Sequence, residues 1–191
     1  MSSRARILEA VRRNRPDLRP LPELPAGAQL PGDAVERFAA MVREVGGEAV
    51  VSQDPSAAIR ARYPDAARIV SMMEEGATFS GGSLDGIDLV ILRGALGVVE
   101  NGAVWVADSA MGHRALPFVT SHLVLVLRAT DLVADMHGAY AALGLERDTP
   151  GFGVFISGPS KTADIERALV IGAQGPRSLL VVLCHPSRCS G

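Results

Sequence analysis

Cysteine is scarce in this 191-residue chain: there are two, Cys184 and Cys189, both within the closing stretch CHPSRC. With His185 they offer three soft ligands, at a spacing that matches no common zinc or iron–sulfur motif and without an evident fourth ligand. The tail is therefore expected to hold no metal and to carry two incidental thiols on a frayed terminus. Net charge is also scarce, at −2, so no basic field calls for nucleic acid. No apolar run reaches the length of a membrane span. The longest candidate, HLVLVLRATDLV, is interrupted by Arg128 and Asp131. The opening MSSRARILEAVRRN has no apolar core of a secretory signal, and Glu9 argues against a transit peptide, so a cytoplasmic location is expected. Three catalytic signatures are missing as well. No GxGxxG follows a strand, no Walker spacing precedes a Lys-Thr pair, and no Ser-His-Asp order carries its supporting motifs.

What is present is ordinary globular composition, 48% hydrophobic and 21% charged, enough for one domain with a sizeable core. Ile7, Leu8 and Val11 share one side of a predicted helix over Ser3 to Asn14. Pro16, Pro20, Pro22, Pro25 and Pro31 then deny both helix and ladder hydrogen bonds. Residues 1–32 therefore read as a helix and proline-rich linker, an arm that docks on the body or on a partner. Residues 33–191 read as the body.

In the body, DAVERFAAMVREVGG has helical spacing and a Gly-Gly stop. EAVVS reads as a strand, and Asp54-Pro55 caps and opens a helix towards Tyr63. RIVSM, IDLVILRG, SHLVLVL, GFGVFIS and SLLVVLC read as strands; ATDLVADMHGAYAALG and TADIERALVIG read as helices. Alternating helices with continuously apolar strands imply a mostly parallel sheet covered on both faces. Two short runs joined by Glu100-Asn101-Gly102 add an antiparallel hairpin.

Two places offer chemistry. In VFISGPSKTADIE, Gly158 permits close backbone approach, Ser160 and Thr162 supply hydroxyls, and Lys161 supplies charge beside a predicted helix start. That set is either an anion cradle or a plain helix cap complemented by Asp164 and Glu166. Glu100, at a strand end before Asn-Gly, is either a reacting carboxylate or a solvated hairpin residue. Among the other groups, His113-Arg114 could meet an acidic ligand, His122 opens a strand as a satisfied structural histidine, and Ser80 to Ser83 read as a connector.

The run GPSKTADIERALVIGAQGPRSLLVVL resembles the LUD-domain family, specifically its lactate utilization protein C members. The shared features are the turn and helix Gly158 to Glu166, the Gly172 to Pro176 loop and the last strand. A further family feature, a Glu-Thr-Gly or Glu-Ser-Gly turn between apolar strands, stands here as Glu100-Asn101-Gly102 with a changed middle residue. The resemblance spans about Asp33 to Leu183. It implies a three-layer α/β/α fold of the NagB/RpiA/CoA-transferase-like group around a mostly parallel mixed sheet. It also implies a role in L-lactate utilization beside partner proteins that carry iron–sulfur clusters. With two badly spaced cysteines the chain would be a cluster-free subunit or accessory protein, needing no cofactor of its own. A small-molecule or anion pocket would then involve Glu100, Asn101, Gly102, Gly158, Ser160, Lys161 and Thr162. The alternative is an enzyme on an acyl-CoA, carboxylate or phosphorylated small molecule, with Glu100 reacting. Some CoA transferases of the wider group carry their nucleophilic glutamate in a similar Glu-Asn-Gly turn.

Overall fold

The computed structural model describes residues 2–17, 19–20, 28–74, 76–80, 82–144, 151–162 and 169–184. Helix α1 (Ser3–Arg13) starts where the Ser2 hydroxyl accepts the Ala5 N–H and ends with Arg12 and Arg13 against its negative pole. None of its residues is buried. Helix α2 (Ala34–Glu44) buries Ala34, Phe38, Ala39 and Val42 along one face and stops at Gly46, whose φ of 85° is left-handed. Strand β1 (Glu48–Ser52) follows. Helix α3 (Pro55–Arg62) is capped by the Asp54 carboxylate, which accepts the Ala57 N–H at 2.8 Å. Next come β2 (Ile69–Ser71), β3 (Leu89–Arg93), β4 (Leu96–Val98) and β5 (Ala103–Ala107), then the one-turn helix α4 (Leu116–Val119). The chain continues through β6 (His122–Arg128), β7 (Leu132–Val133), α5 (Met136–Leu143), β8 (Gly153–Ile156), β9 (Lys161–Thr162), β10 (Val170–Ile171) and β11 (Ser178–Cys184).

The main sheet runs β1-β11-β6-β3-β2, every pair parallel. Its central strands are buried on both faces over Leu123–Leu127 of β6 and Leu179–Cys184 of β11, which is why they read as unbroken apolar runs. Along them the side chains alternate between two cores. Leu123, Leu125, Leu127, Leu179, Val181 and Leu183 face the larger one with Phe38 and Val42 of α2. Val124, Val126, Leu180 and Val182 face Ile59 at α3 and Tyr63 just beyond it. The fold is α/β/α around a mostly parallel sheet, as the strand pattern implies.

The antiparallel element is larger than a hairpin. A second sheet, β7-β4-β5-β8, packs Val104 and Val106 into the main core and carries α5 on its other side, through Leu96, Val98 and Ala139. Its assembly corrects two expectations. The helix expected over ATDLVADMHGAYAALG is split, because Leu132 and Val133 pair in parallel with β4. Only then does Asp135 cap α5, accepting the Gly138 N–H at 2.7 Å. The helix expected over TADIERALVIG is not present at its ends: Lys161 and Thr162 pair antiparallel with Ile171 and Val170. Residues 163–168 lie outside the described residues. Cys184 ends β11 fully buried and disulfide-bonded, so it is not the incidental thiol expected from the tail. The remainder of CHPSRC lies outside the described residues.

Candidate functional site

The turn Val99–Gly102 joins β4 to β5 and is shaped by its last residue. Gly102 has φ 64°, its N–H donates to the Val98 carbonyl at 2.9 Å, and the Asn101 side-chain oxygen accepts the Ala103 N–H at 3.0 Å. Backbone approach demands the glycine, since a Cβ there would lie 3.0 Å from the Val42 nitrogen of α2. The Gly158 turn rests on the same helix. At φ 73°, Gly158 would place a Cβ 2.3 Å from the Val45 carbonyl oxygen. Between the two turns, the Ser157 hydroxyl donates to the Asn101 carbonyl at 2.8 Å. The tertiary structure thus brings the two motif turns together on the C-terminal end of α2.

Glu100 points its chemistry elsewhere. Its Oε2 accepts the N–H of Met136, the first residue of α5, at 3.1 Å. Asp135 accepts a second helix N–H, from Gly138, and the N–H of Ala28 at 2.8 Å. These backbone donors, Gly138 first, hold the Asp135 carboxyl below its ordinary range. Two carboxylates therefore serve the positive end of α5, a structural use of Glu100 that composition does not reveal. Glu100 also lines a cavity of about 450 Å³ with Ala28, Gln29 and Pro31 of the linker, Arg37, Met41 and Glu44 of α2, Val99 and Ala134. Gly158 to Thr162 are not among its walls.

In the Gly158 turn, Gly158 and Pro159 are buried, Ser160 and Thr162 half-buried, and Lys161 exposed. The Ser160 N–H donates to the Pro176 carbonyl at 2.9 Å, and its own carbonyl accepts from Gly172 at 2.9 Å. A Cβ on Gly46 would stand 3.2 Å from the Lys161 Nζ, so the ammonium lies beside the C-terminal end of α2, where the helix pole is negative. Thr162, the expected helix start, pairs with Val170 in the β9–β10 ladder, and the residues whose N–H groups would complete an anion cradle, 163–168, lie outside the described residues.

Three further sets were faint or absent in the sequence. Arg114 holds Asp108 in a two-point contact at 2.8 Å and lies over the Phe152 ring at 4.6 Å, so its charge is already engaged. At the carboxyl ends of β3 and β6, outside which open α/β sheets take ligands, stand Arg93 and Arg128. Arg93 donates to the Met73 carbonyl, and Arg128 pairs with Asp131 at 2.6 Å. At the opposite ends of the strands, His122, Tyr63, Arg62 and Arg177 line a cavity of about 380 Å³, and Ser178, not itself among its walls, is within hydrogen-bond distance of both His122 and Tyr63. Only His122 was visible in the sequence as a residue of note. The others are ordinary residues at element ends, and only sheet register brings them together. Among the described residues no group of three or more His, Cys, Asp or Glu could hold a metal ion. No helix among them is long and apolar enough to cross a membrane.

The family model of the LUD domain matches residues 83–184, just over half of the chain. An uncharacterized protein of Neisseria meningitidis serogroup B is 32% identical over 95 residues, 49% of this chain and 41% of its own length. The chain thus spans well under half of that relative. A crystal structure of a DUF162 family protein from Deinococcus radiodurans aligns with a TM-score of 0.61 at 15% identity, over 80% of this chain and 96% of that one. That likeness establishes the fold.

Proposed function

Because the chain belongs to the LUD-domain family, which is associated with lactate utilization, we propose that it is a cluster-free subunit or accessory protein of an L-lactate-oxidising system. Its partners are then the iron–sulfur protein subunits that carry the electrons. Protein-bound clusters are held by sets of about four thiolates, and two cysteines cannot supply one. The observation that carries the non-catalytic part of the reading is the hydrogen bond from Met136 to Glu100. One oxygen of the carboxylate best placed to react is occupied at a helix pole. A carboxylate whose charge is stabilised by a helix pole and a backbone N–H is a poorer nucleophile than one without those partners. In this reading the Glu100 cavity accepts a small molecule, with Asn101 and Gly102 shaping its turn. The neighbouring Ser160, Lys161 and Thr162 offer hydroxyls and one positive charge to an anion.

The test is affinity capture of the full-length chain from cells grown on L-lactate, compared with cells grown on another carbon source. Lactate-dependent co-capture of proteins with iron–sulfur absorbance, together with failed growth of a deletion strain on L-lactate, is the expected result. Normal growth of the deletion strain and no such capture would overturn the reading. An acyl or CoA adduct on Glu100, trapped by hydroxylamine, would replace it with the transferase alternative.

A further inference from the structure

The cavity at the N-terminal ends of β3, β6 and β11 is built differently from the Glu100 cavity, and nothing in the lactate reading uses it. His122 is the first residue of β6 and lies in register with Ser178, the first residue of β11. That pairing puts the His122 Nδ1 2.8 Å from the Ser178 Oγ, which is also 2.9 Å from the Tyr63 hydroxyl. Tyr63 is buried and its ring stands 5.0 Å from the imidazole. A serine hydroxyl has one proton to give. An arrangement that satisfies all three groups within the triad has Tyr63 donating to Ser178 and Ser178 donating to Nδ1. The reverse order would leave the buried tyrosine proton without an acceptor, at a cost of about 1–3 kcal/mol. In the first arrangement the ring proton of neutral His122 sits on Nε2, and protonated His122 carries a proton there in any case; Nε2 makes no hydrogen bond to a described residue.

The charges around this imidazole are not equally available. Arg62 is held by Glu48 in a two-point contact. The Asp88 Oδ2 accepts the N–H groups of Ala67 at 3.0 Å and Arg68 at 2.8 Å. Asp65 is exposed at the rim. Arg177, by contrast, is exposed and makes no side-chain hydrogen bond or ion pair to any described residue, although it lines the same cavity. The unspent guanidinium shares the cavity with the His122 imidazole and the Ser121 hydroxyl, and of the two carboxylates on its walls Asp65 is exposed and Asp88 already accepts two N–H groups. Planar guanidinium groups suit carboxylate and phosphate oxygens in particular.

We propose that this cavity binds a small molecule through a carboxylate or phosphate group, with Arg177 and the His122 Nε2–H as the donors. Burial first, then the charges of Arg62 and Arg177, keeps His122 below its ordinary titration range against the pull of Asp88. A bound anion offsets those two cations, so binding raises the histidine midpoint.

The experiment follows the His122 Cε1–H resonance of the full-length protein by NMR, assigned by its loss in His122→Gln. Inorganic phosphate and acetate are titrated separately, each against sodium chloride at equal ionic strength. A saturable shift with a raised titration midpoint is expected in at least one series. A response to phosphate alone, or to acetate alone, identifies the preferred group. Arg177 is exposed, so Arg177→Gln leaves the fold intact and should weaken the responding anion by about tenfold. Shifts no larger than chloride produces, in both series, would overturn the proposal. So would an affinity unchanged in Arg177→Gln.

Discussion

Replacing Gly158 by alanine tests how the two motif turns are held on α2. Two separate costs apply. The backbone sits at φ 73°, a conformation that costs an L side chain about 1–2 kcal/mol. The added Cβ would also stand 2.3 Å from the Val45 carbonyl oxygen and 3.3 Å from its carbon. Both are backbone atoms, so neither can swing aside as a flexible side-chain end would. Relief requires moving α2 or the turn, at about 1–3 kcal/mol on the scale of overpacked cores. The sum is about 2–5 kcal/mol, a large share of the roughly 5–15 kcal/mol that holds an ordinary domain together. For a chain of this size it corresponds to a fall in Tm of about 4–20 °C. Gly86→Ala separates the two costs, because Gly86 has nearly the same φ, 70°, and nothing within 4 Å of an added Cβ. Urea unfolding followed by circular dichroism reads both variants. Gly158→Ala should be less stable than Gly86→Ala by at least about 1 kcal/mol. Equal losses in the two variants would refute the contact with Val45 as the reason for glycine.

Three other outcomes follow from the same geometry. Glu100→Gln keeps a carbonyl oxygen for the Met136 N–H while removing charge at the α5 pole, so stability should fall by no more than about 0.5 kcal/mol. Growth on L-lactate should persist in a strain carrying that variant, and its loss would restore Glu100 as a reacting group. Gly153→Ala would place a Cβ 2.2 Å from the ring of Trp105, the single tryptophan of the chain, and should cost about 1–3 kcal/mol. It should also shift the intrinsic fluorescence; unchanged emission and stability would show that the strands tolerate the methyl. The folded protein disfavours charged His122, through burial first and then Arg62 and Arg177, so the unfolded chain takes up that proton at higher pH. Stability should therefore decline as pH falls below about 6.5, until the folded histidine also protonates. His122→Gln should flatten that portion of the profile, and a parallel decline in the variant would assign the slope to other groups.

Much of the framework follows from local chemistry. The unbroken apolar runs of β6 and β11 require cover on both faces, Asp54-Pro55 caps a helix, and Gly46-Gly47 ends one, whatever surrounds them. The Glu-Asn-Gly and Gly-Pro-Ser turns were legible for the same reason: glycine is needed wherever φ is positive. What those turns touch was not legible. Leu132 and Val133 are as apolar as helix residues, and only the open edge of β4 makes them a strand. Lys161 and Thr162 pair with Ile171 and Val170 across an intervening stretch that local propensity reads as helix. The carboxylate of Glu100 finds its use at the start of α5, 36 residues further along the chain. His122, Ser178 and Tyr63 meet because parallel register aligns two strand starts beside the end of α3, a long-range pairing that no periodicity in the chain encodes. Local sequence determined the longer elements and the glycine hinges, but not the short strands β7, β9 and β10. Strand pairing across distant segments decided which polar groups face one another, because that choice depends on edges and registers that exist only once the sheets have formed.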